Sequence, residues 1–177
     1  MKSIFAALGL GLLLALAGST QAQTTQIGTE YLMTVHIPTE RAAIDSGLVV
    51  VNILPGGWAR GPAVSGKIVP PGGDWIRVMP SGVLRLDVRL TIKTDDGALI
   101  YMTYGGVVVP SKEAGEALAR GEVLDDKGMP YFVTTPQFQT SSPKYDWLNR
   151  LQGVAKMARY KRTKDDAFVE YDIFAVR

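Results

Sequence analysis

VLRLDVRLTIKTDDGALIYMTYGGVVV, residues 83–109, decides how this chain folds. Leu84, Leu86, Val88, Leu90 and Ile92 point one way; Arg85, Asp87, Arg89, Thr91 and Lys93 point the other. A period of two is the pattern of a β-strand with one apolar and one polar face. Asp95-Asp96-Gly97 then predicts a hairpin turn, in which Gly97 supplies the positive φ such turns need, and residues 98–109 return as the partner strand.

The same rhythm extends on both sides. Upstream, Pro55-Gly56-Gly57, Gly61-Pro62 and Pro70-Pro71-Gly72-Gly73 separate apolar segments at 48–54, 63–69 and 74–79, and a first strand at 31–37 stops at Pro38. The continuous β-branched run at 48–54 predicts a strand buried on both faces or lining a closed barrel. Downstream, Ser111 caps the one convincing helix, which runs to about Arg120 and stops at Gly121. Strands at 131–140, 148–161 and 168–176 complete the set, the middle one interrupted by Gly153, which predicts a bend or bulge. The expected fold class is all-β: a single antiparallel closed β-barrel of about 8–9 strands with one short surface helix, and a two-sheet sandwich as the alternative. Closure removes the exposed edges an open sheet would leave, and barrels of roughly this strand number can enclose one small ligand.

Lys2, an apolar run over 4–17 and the small polar residues 18–22 follow the order of a secretory signal peptide, with cleavage expected after Ala22. The run is too short to span a bilayer comfortably, so no membrane span is expected after cleavage. Residues 23–177 then form a single domain, located in a periplasm or secreted. Cleavage removes Lys2 alone among the 19 basic residues and none of the 17 acids, leaving eighteen against seventeen. A near-neutral chain gives no reason to expect nucleic acid or an anionic membrane as partner. The cluster Lys156, Arg159, Lys161, Arg162, Lys164 is followed directly by Asp165 and Asp166 and reads as a solvated hairpin tip.

The chain has no cysteine and one histidine, His36, which argues against cysteine nucleophiles, histidine-rich metal sites and histidine relays. There is no serine elbow, GxGxxG or P-loop pattern, so neither cofactor nor metal is expected. Asp95 and Asp96 lack the ligand spacing of a calcium loop. Asp87 and Arg89 share one face of their strand. Facing inward they could orient an acidic or carbonyl ligand; facing outward they are solvated cross-strand charges, the reading favoured here. Trp75, Tyr101, Tyr104, Tyr131, Phe138, Tyr145 and Trp147 are enough aromatics to line an apolar pocket or simply to fill a core.

Gly56-Gly57, Gly61-Pro62, Gly66, Pro71-Gly72-Gly73-Asp74-Trp75, Gly82, Leu86-Asp87-Val88-Arg89-Leu90, Thr94-Asp95-Asp96-Gly97-Ala98-Leu99-Ile100-Tyr101 and Gly105 together resemble the domain of unknown function 3237 family. Phe132, Thr134, Pro136, Phe138, Thr140, Tyr145 and Trp147-Leu148-Asn149 resemble its second signature. The resemblance implies a closed β-barrel of lipocalin-like appearance with an internal pocket, in a bacterial family without an established general activity. It also implies that Asp74, Trp75, Asp87, Arg89, Thr140 and Trp147-Leu148-Asn149 belong to one region. Three departures stand out. Arg60 and Gln139 occupy positions where an acid is common in the family, and residues 46–54 are apolar where an arginine-rich segment is common. The ligand-binding candidates are Asp74, Trp75, Asp87, Arg89, Tyr101, Thr140, Tyr145, Trp147 and Asn149, and no catalytic residue is assigned. The first expectation is an exported protein that binds a small apolar or aromatic molecule in its interior. The alternative is a cofactor-independent lyase, isomerase or cyclase, with Asp87, Arg89, Tyr145 and Asn149 stabilising a rearranging substrate. The sequence sets no oligomeric state.

Overall fold

A computed structural model describes residues 25–177; the expected signal peptide lies outside them. The strands are β1 (Thr29–Ala43), β2 (Leu48–Ile53), β3 (Trp58–Arg60), β4 (Gly66–Val78), β5 (Leu84–Thr94) and β6 (Leu99–Val109), then β7 (Leu124–Asp125), β8 (Tyr131–Gln139), β9 (Gly153–Lys161) and β10 (Phe168–Val176). One α-helix, α1 (Lys112–Ala119), follows β6, and a 3₁₀ segment, Pro143–Arg150, precedes β9.

All the pairings are antiparallel. The strands run β10-β1-β2-β4-β5-β6-β8-β9, and β9 pairs back to β10, so eight of the ten strands close into a ring. The apolar face of β5 turns inward: Leu90 and Ile92 are fully buried beside Ile100 and Met102 of β6. The core is a single cluster inside this ring, to which α1 adds Ala114, Ala117 and Leu118. The helix begins as its cap predicts, with Ser111 Oγ accepting the Ala114 N–H at 3.1 Å. Gly121 at φ 80° lies just past its end.

Three elements differ from the sequence reading, each at proline or glycine. Pro38 does not stop β1. That strand pairs with β10 as far as Pro38↔Phe168 and with β2 from Thr39↔Ile53. A residue without an N–H is tolerated where the strand exchanges partners. Pro70-Pro71-Gly72-Gly73 is not a reversal either. β4 runs through it, and the register against β5 shifts between Val69 and Gly73. Two prolines interrupt the ladder, and the result is a bulge that leaves the strand direction unchanged. Gly153 begins β9 rather than bending it, because 148–150 belong to the 3₁₀ segment. The short strands β3 and β7 raise the count to ten.

The β4–β5 approach at the far end depends on a missing side chain. A Cβ on Gly66 would sit 2.3 Å from the Lys93 carbonyl oxygen and 2.6 Å from Thr94 Cα, both backbone atoms. A Cβ on Gly115, inside α1, meets nothing within 4 Å. Gly66→Ala is therefore expected to destabilise the protein by more than about 2 kcal/mol. Gly115→Ala should stabilise it by up to about 1 kcal/mol, since alanine is the better helix former. Urea denaturation of the two variants checks both signs; equal stability of Gly66→Ala and wild type would refute the close approach.

Candidate functional site

Inside the ring, at the end carrying α1 and the β9–β10 hairpin, lies a cavity of about 380 Å³. Its walls are side chains of the eight ring strands, among them Ile37, Ile53, Ile76, Leu86, Val88 and Phe132. Apolar residues of α1 close part of the same end, through Ala114 and Leu118. The lining contains few polar groups. Asp74, Tyr104 and Tyr171 belong to the interior, Tyr160 stands nearer the rim, and Glu40, Arg41, Lys161, Arg162 and Lys164 surround the mouth.

Asp74 follows the β4 bulge directly, and its register places it opposite Val88, which points inward. Its Oδ1 accepts the Asp87 N–H at 2.9 Å, so the carboxylate takes up a donor of the β5 backbone. Burial pushes the Asp74 carboxyl up to about 6; the hydrogen bond from the Asp87 amide pulls it down, and the Asp87 charge adds a smaller upward push. Tyr104 and Tyr171 pack edge to face, ring centroids 5.7 Å apart, and Phe132 meets Tyr171 in the same way at 5.5 Å. Burial holds both phenols well above their ordinary range, and the Asp74 charge pushes in the same direction. At neutral pH the cavity therefore offers one titrating carboxyl and two protonated phenols among aliphatic walls. That arrangement can donate or accept a single proton next to an apolar ligand.

Of the sequence-derived candidates, Asp74 lines this cavity. Trp75, its neighbour, alternates to the outer face and is 42 % exposed. Asp87 and Arg89 also face outward, in an ion pair of 2.9 Å, with the Arg89 guanidinium 5.6 Å from the Trp75 ring. They are solvated charges paired along the outer face of β5, because the aliphatic face of that strand is the buried one. Tyr101 is on the outer face of β6, 40 % exposed. Thr140, Tyr145, Trp147 and Asn149 gather at the opposite end of the ring, by the β5–β6 turn. There Thr140 Oγ1 donates to the Leu99 carbonyl at 2.7 Å, and Asn149 both accepts the Thr140 N–H and donates to the Thr140 carbonyl. The Tyr145 hydroxyl donates to Asp96, which also receives Lys144 and Thr94. Those donors hold the Asp96 carboxyl well below the usual carboxylate range. Trp147 packs partly buried against the core. These four residues tie down the 3₁₀ segment and take no part in the cavity.

Tyr160, Tyr171, Arg41 and Arg162 were not singled out as site residues by the sequence. The available signal was register: Tyr171 alternates with Val169 and Ile173, all buried, and so points inward. His36 is a satisfied residue of the outer wall. Its Nδ1 is 2.9 Å from Glu170, and its ring stacks on Trp58 at 5.4 Å. The Arg60 guanidinium also lies over that indole, 4.4 Å from its centroid. Among the described residues no group of three or more His, Cys, Asp or Glu converges as a metal site would require, and no helix is long and apolar enough to cross a membrane.

Residues 27–176 match the family described as protein of unknown function DUF3237. The chain belongs to this family. A UPF0311 protein of Rhodopseudomonas palustris is 33 % identical over 141 residues, covering 77 % of this chain and 92 % of that protein. The crystal structure of a conserved protein of unknown function from the same organism superposes with a TM-score of 0.74 at 30 % identity, covering 87 % of this chain and all of that one. A protein of Acinetobacter baumannii described as beta-barrel like gives 0.67 at 32 % identity, over 89 % and 100 % of the two chains. An enzyme from Penicillium herquei shares the fold alone, with a TM-score of 0.57 at 19 % identity over 89 % and 99 %.

The position of Asp74 has a consequence for stability. Its folded-state value lies above the ordinary 3.8, so the fold prefers the neutral carboxyl. This preference acts in full below pH 3.8 and is lost as the pH rises through about 6. Asp74→Asn keeps an acceptor for the Asp87 amide and removes the buried charge. It should stabilise the protein relative to wild type by about 2 kcal/mol near pH 8 and by almost nothing near pH 3.5, measured by denaturant unfolding at both values. A gain independent of pH would contradict the assigned burial.

Proposed function

We propose that this DUF3237 protein binds a small apolar or aromatic molecule in the interior of its strand ring, which acts as a closed β-barrel of lipocalin-like form. The observation that carries this reading is the 380 Å³ cavity, whose walls are mostly aliphatic and aromatic and whose interior holds one carboxyl. A buried site of that size and polarity takes up apolar surface and orients it through a few polar groups. The signal-peptide pattern of residues 1–22 supports a site of action in a periplasm or outside the cell.

The test uses the uncharged fluorophore N-phenyl-1-naphthylamine. Saturable binding with fluorescence enhancement is expected for the wild type. Val88→Trp, which fills the cavity from its β5 wall, should weaken binding by at least about tenfold while the protein stays folded. Absence of saturable binding by the wild type overturns the proposal.

A second reading, a cofactor-independent lyase, isomerase or cyclase, has one observation in its favour. Burial brings the Asp74 carboxyl to about 6, where a side chain can exchange protons near neutral pH. Under this reading Asp74, and not Asp87 or Arg89, moves the proton. Native mass spectrometry of protein purified from its own source would identify a co-purifying molecule. Its turnover should rise with pH through about 6 if Asp74 is the base, and Asp74→Asn should lower it by about 10²-fold or more. Unchanged turnover in Asp74→Asn removes this reading.

A further inference from the structure

We propose that the mouth of the cavity is a carboxylate-binding subsite, in which Arg41 and Arg162 hold the head group of an organic acid whose apolar body fills the interior. The inference rests on the cavity being a ligand site and adds the class of ligand.

Side-chain alternation puts each arginine on the inward series of its own strand or just beyond it. Val35, Ile37 and Thr39 follow the inward alternation of β1, and Arg41 is the next residue in that series. Tyr160 is the last inward residue of β9, and Arg162 follows two positions later, beyond the end of the strand. The Thr39 N–H donates to the Ala167 carbonyl at 2.9 Å, which ties β1 to the β9–β10 hairpin at this point. Both arginines line the mouth together with Tyr160, and both charges act on its phenol. Burial raises that phenol above its ordinary range, while the Arg162 and Arg41 charges pull it down. Tyr160 thus keeps its proton as a donor beside two charged forks.

The neighbouring charges do not consume these two. Lys161 is paired with Asp166 at 2.6 Å and Arg159 with Glu170, whereas neither Arg41 nor Arg162 forms an ion pair among the described residues. Glu40 is the acid that also lines the mouth, against Arg41, Arg162 and Lys164. Arg41 and Arg162 are exposed at the rim, and guanidinium forks match carboxylate oxygens in pairs. The interior fixes the orientation. Asp74 repels an anion whenever it is ionised, so the carboxylate belongs at the rim and the hydrocarbon inside. The aliphatic walls also argue against a bare inorganic anion as the occupant.

The experiment displaces bound N-phenyl-1-naphthylamine with 2-naphthoate and with its neutral isostere 2-naphthamide, near pH 7.5 at low salt. Wild type should bind the naphthoate at least about tenfold more tightly than the amide. In Arg41→Gln/Arg162→Gln the two ligands should differ by less than about twofold, with the amide affinity unchanged. Arg85→Gln/Lys93→Gln, the same charge change on the outer face of β5, should retain the preference. Equal binding by wild type, a preference surviving in the arginine variant, or an equal loss in the outer-face control overturns the subsite. If the fluorophore and the amide bind without acid preference, only this inference falls. If neither binds, the cavity reading falls and takes it along.

Discussion

The ladder between the first strand and the last is the contact on which the rest of this molecule depends. Its register runs from Thr29↔Val176 to Pro38↔Phe168, across the greatest sequence separation in the chain. With β10 also paired to β9, each strand of the ring has two hydrogen-bonded neighbours, the shortest contact being β8–β9 at Val133↔Lys156 and Thr134↔Ala155. Local hairpins such as β5–β6 can form early and cheaply. Closing the ends of the chain costs loop entropy and is rewarded only by the shared interior. That interior then contains one continuous apolar cluster rather than two halves.

Closure also creates the site. Inward side chains of eight strands converge on a space that α1 and the 3₁₀ segment cover unequally. At one end Leu148 is fully buried and Tyr145, Asn149 and Asp96 bind the 3₁₀ segment down. At the other end the cover is a short helix and a hairpin, and space remains. A polar group in such a space stands out energetically, because desolvation opposes its charge and few partners compensate. Asp74 has one backbone donor and no cation paired with it among the described residues. Burial therefore dominates its proton affinity.

The outer wall follows a different rule. Asp87 with Arg89 and Trp75, or His36 with Glu170 and Trp58, are polar and aromatic groups that satisfy one another within a ladder. The polar and aromatic residues that carry the resemblance to the DUF3237 family accordingly divide between the cavity, the outer faces of β4, β5 and β6 and the capped end. Some hold the ring together, and Asp74 is the charged one that meets the enclosed space, beside Leu86, Val88 and Phe132.

Much of this was legible in the sequence. The period of two in residues 83–93 and the Asp-Asp-Gly turn assigned the β5–β6 hairpin, and Ser111 with Gly121 bounded the helix, because local backbone preference and side-chain alternation decide such elements. The identity of the inward face was less secure, and with it the fate of Asp87 and Arg89. An alternating strand looks the same from either side until a closed wall makes one side the interior. Proline and glycine at 38 and 70–73 were read as ends, whereas long-range pairing carried β1 and β4 straight through them. The convergence of Asp74, Tyr104, Tyr160 and Tyr171 could not be read at all. These residues come from four strands, β4, β6, β9 and β10, and only the closed register brings distant positions to one space.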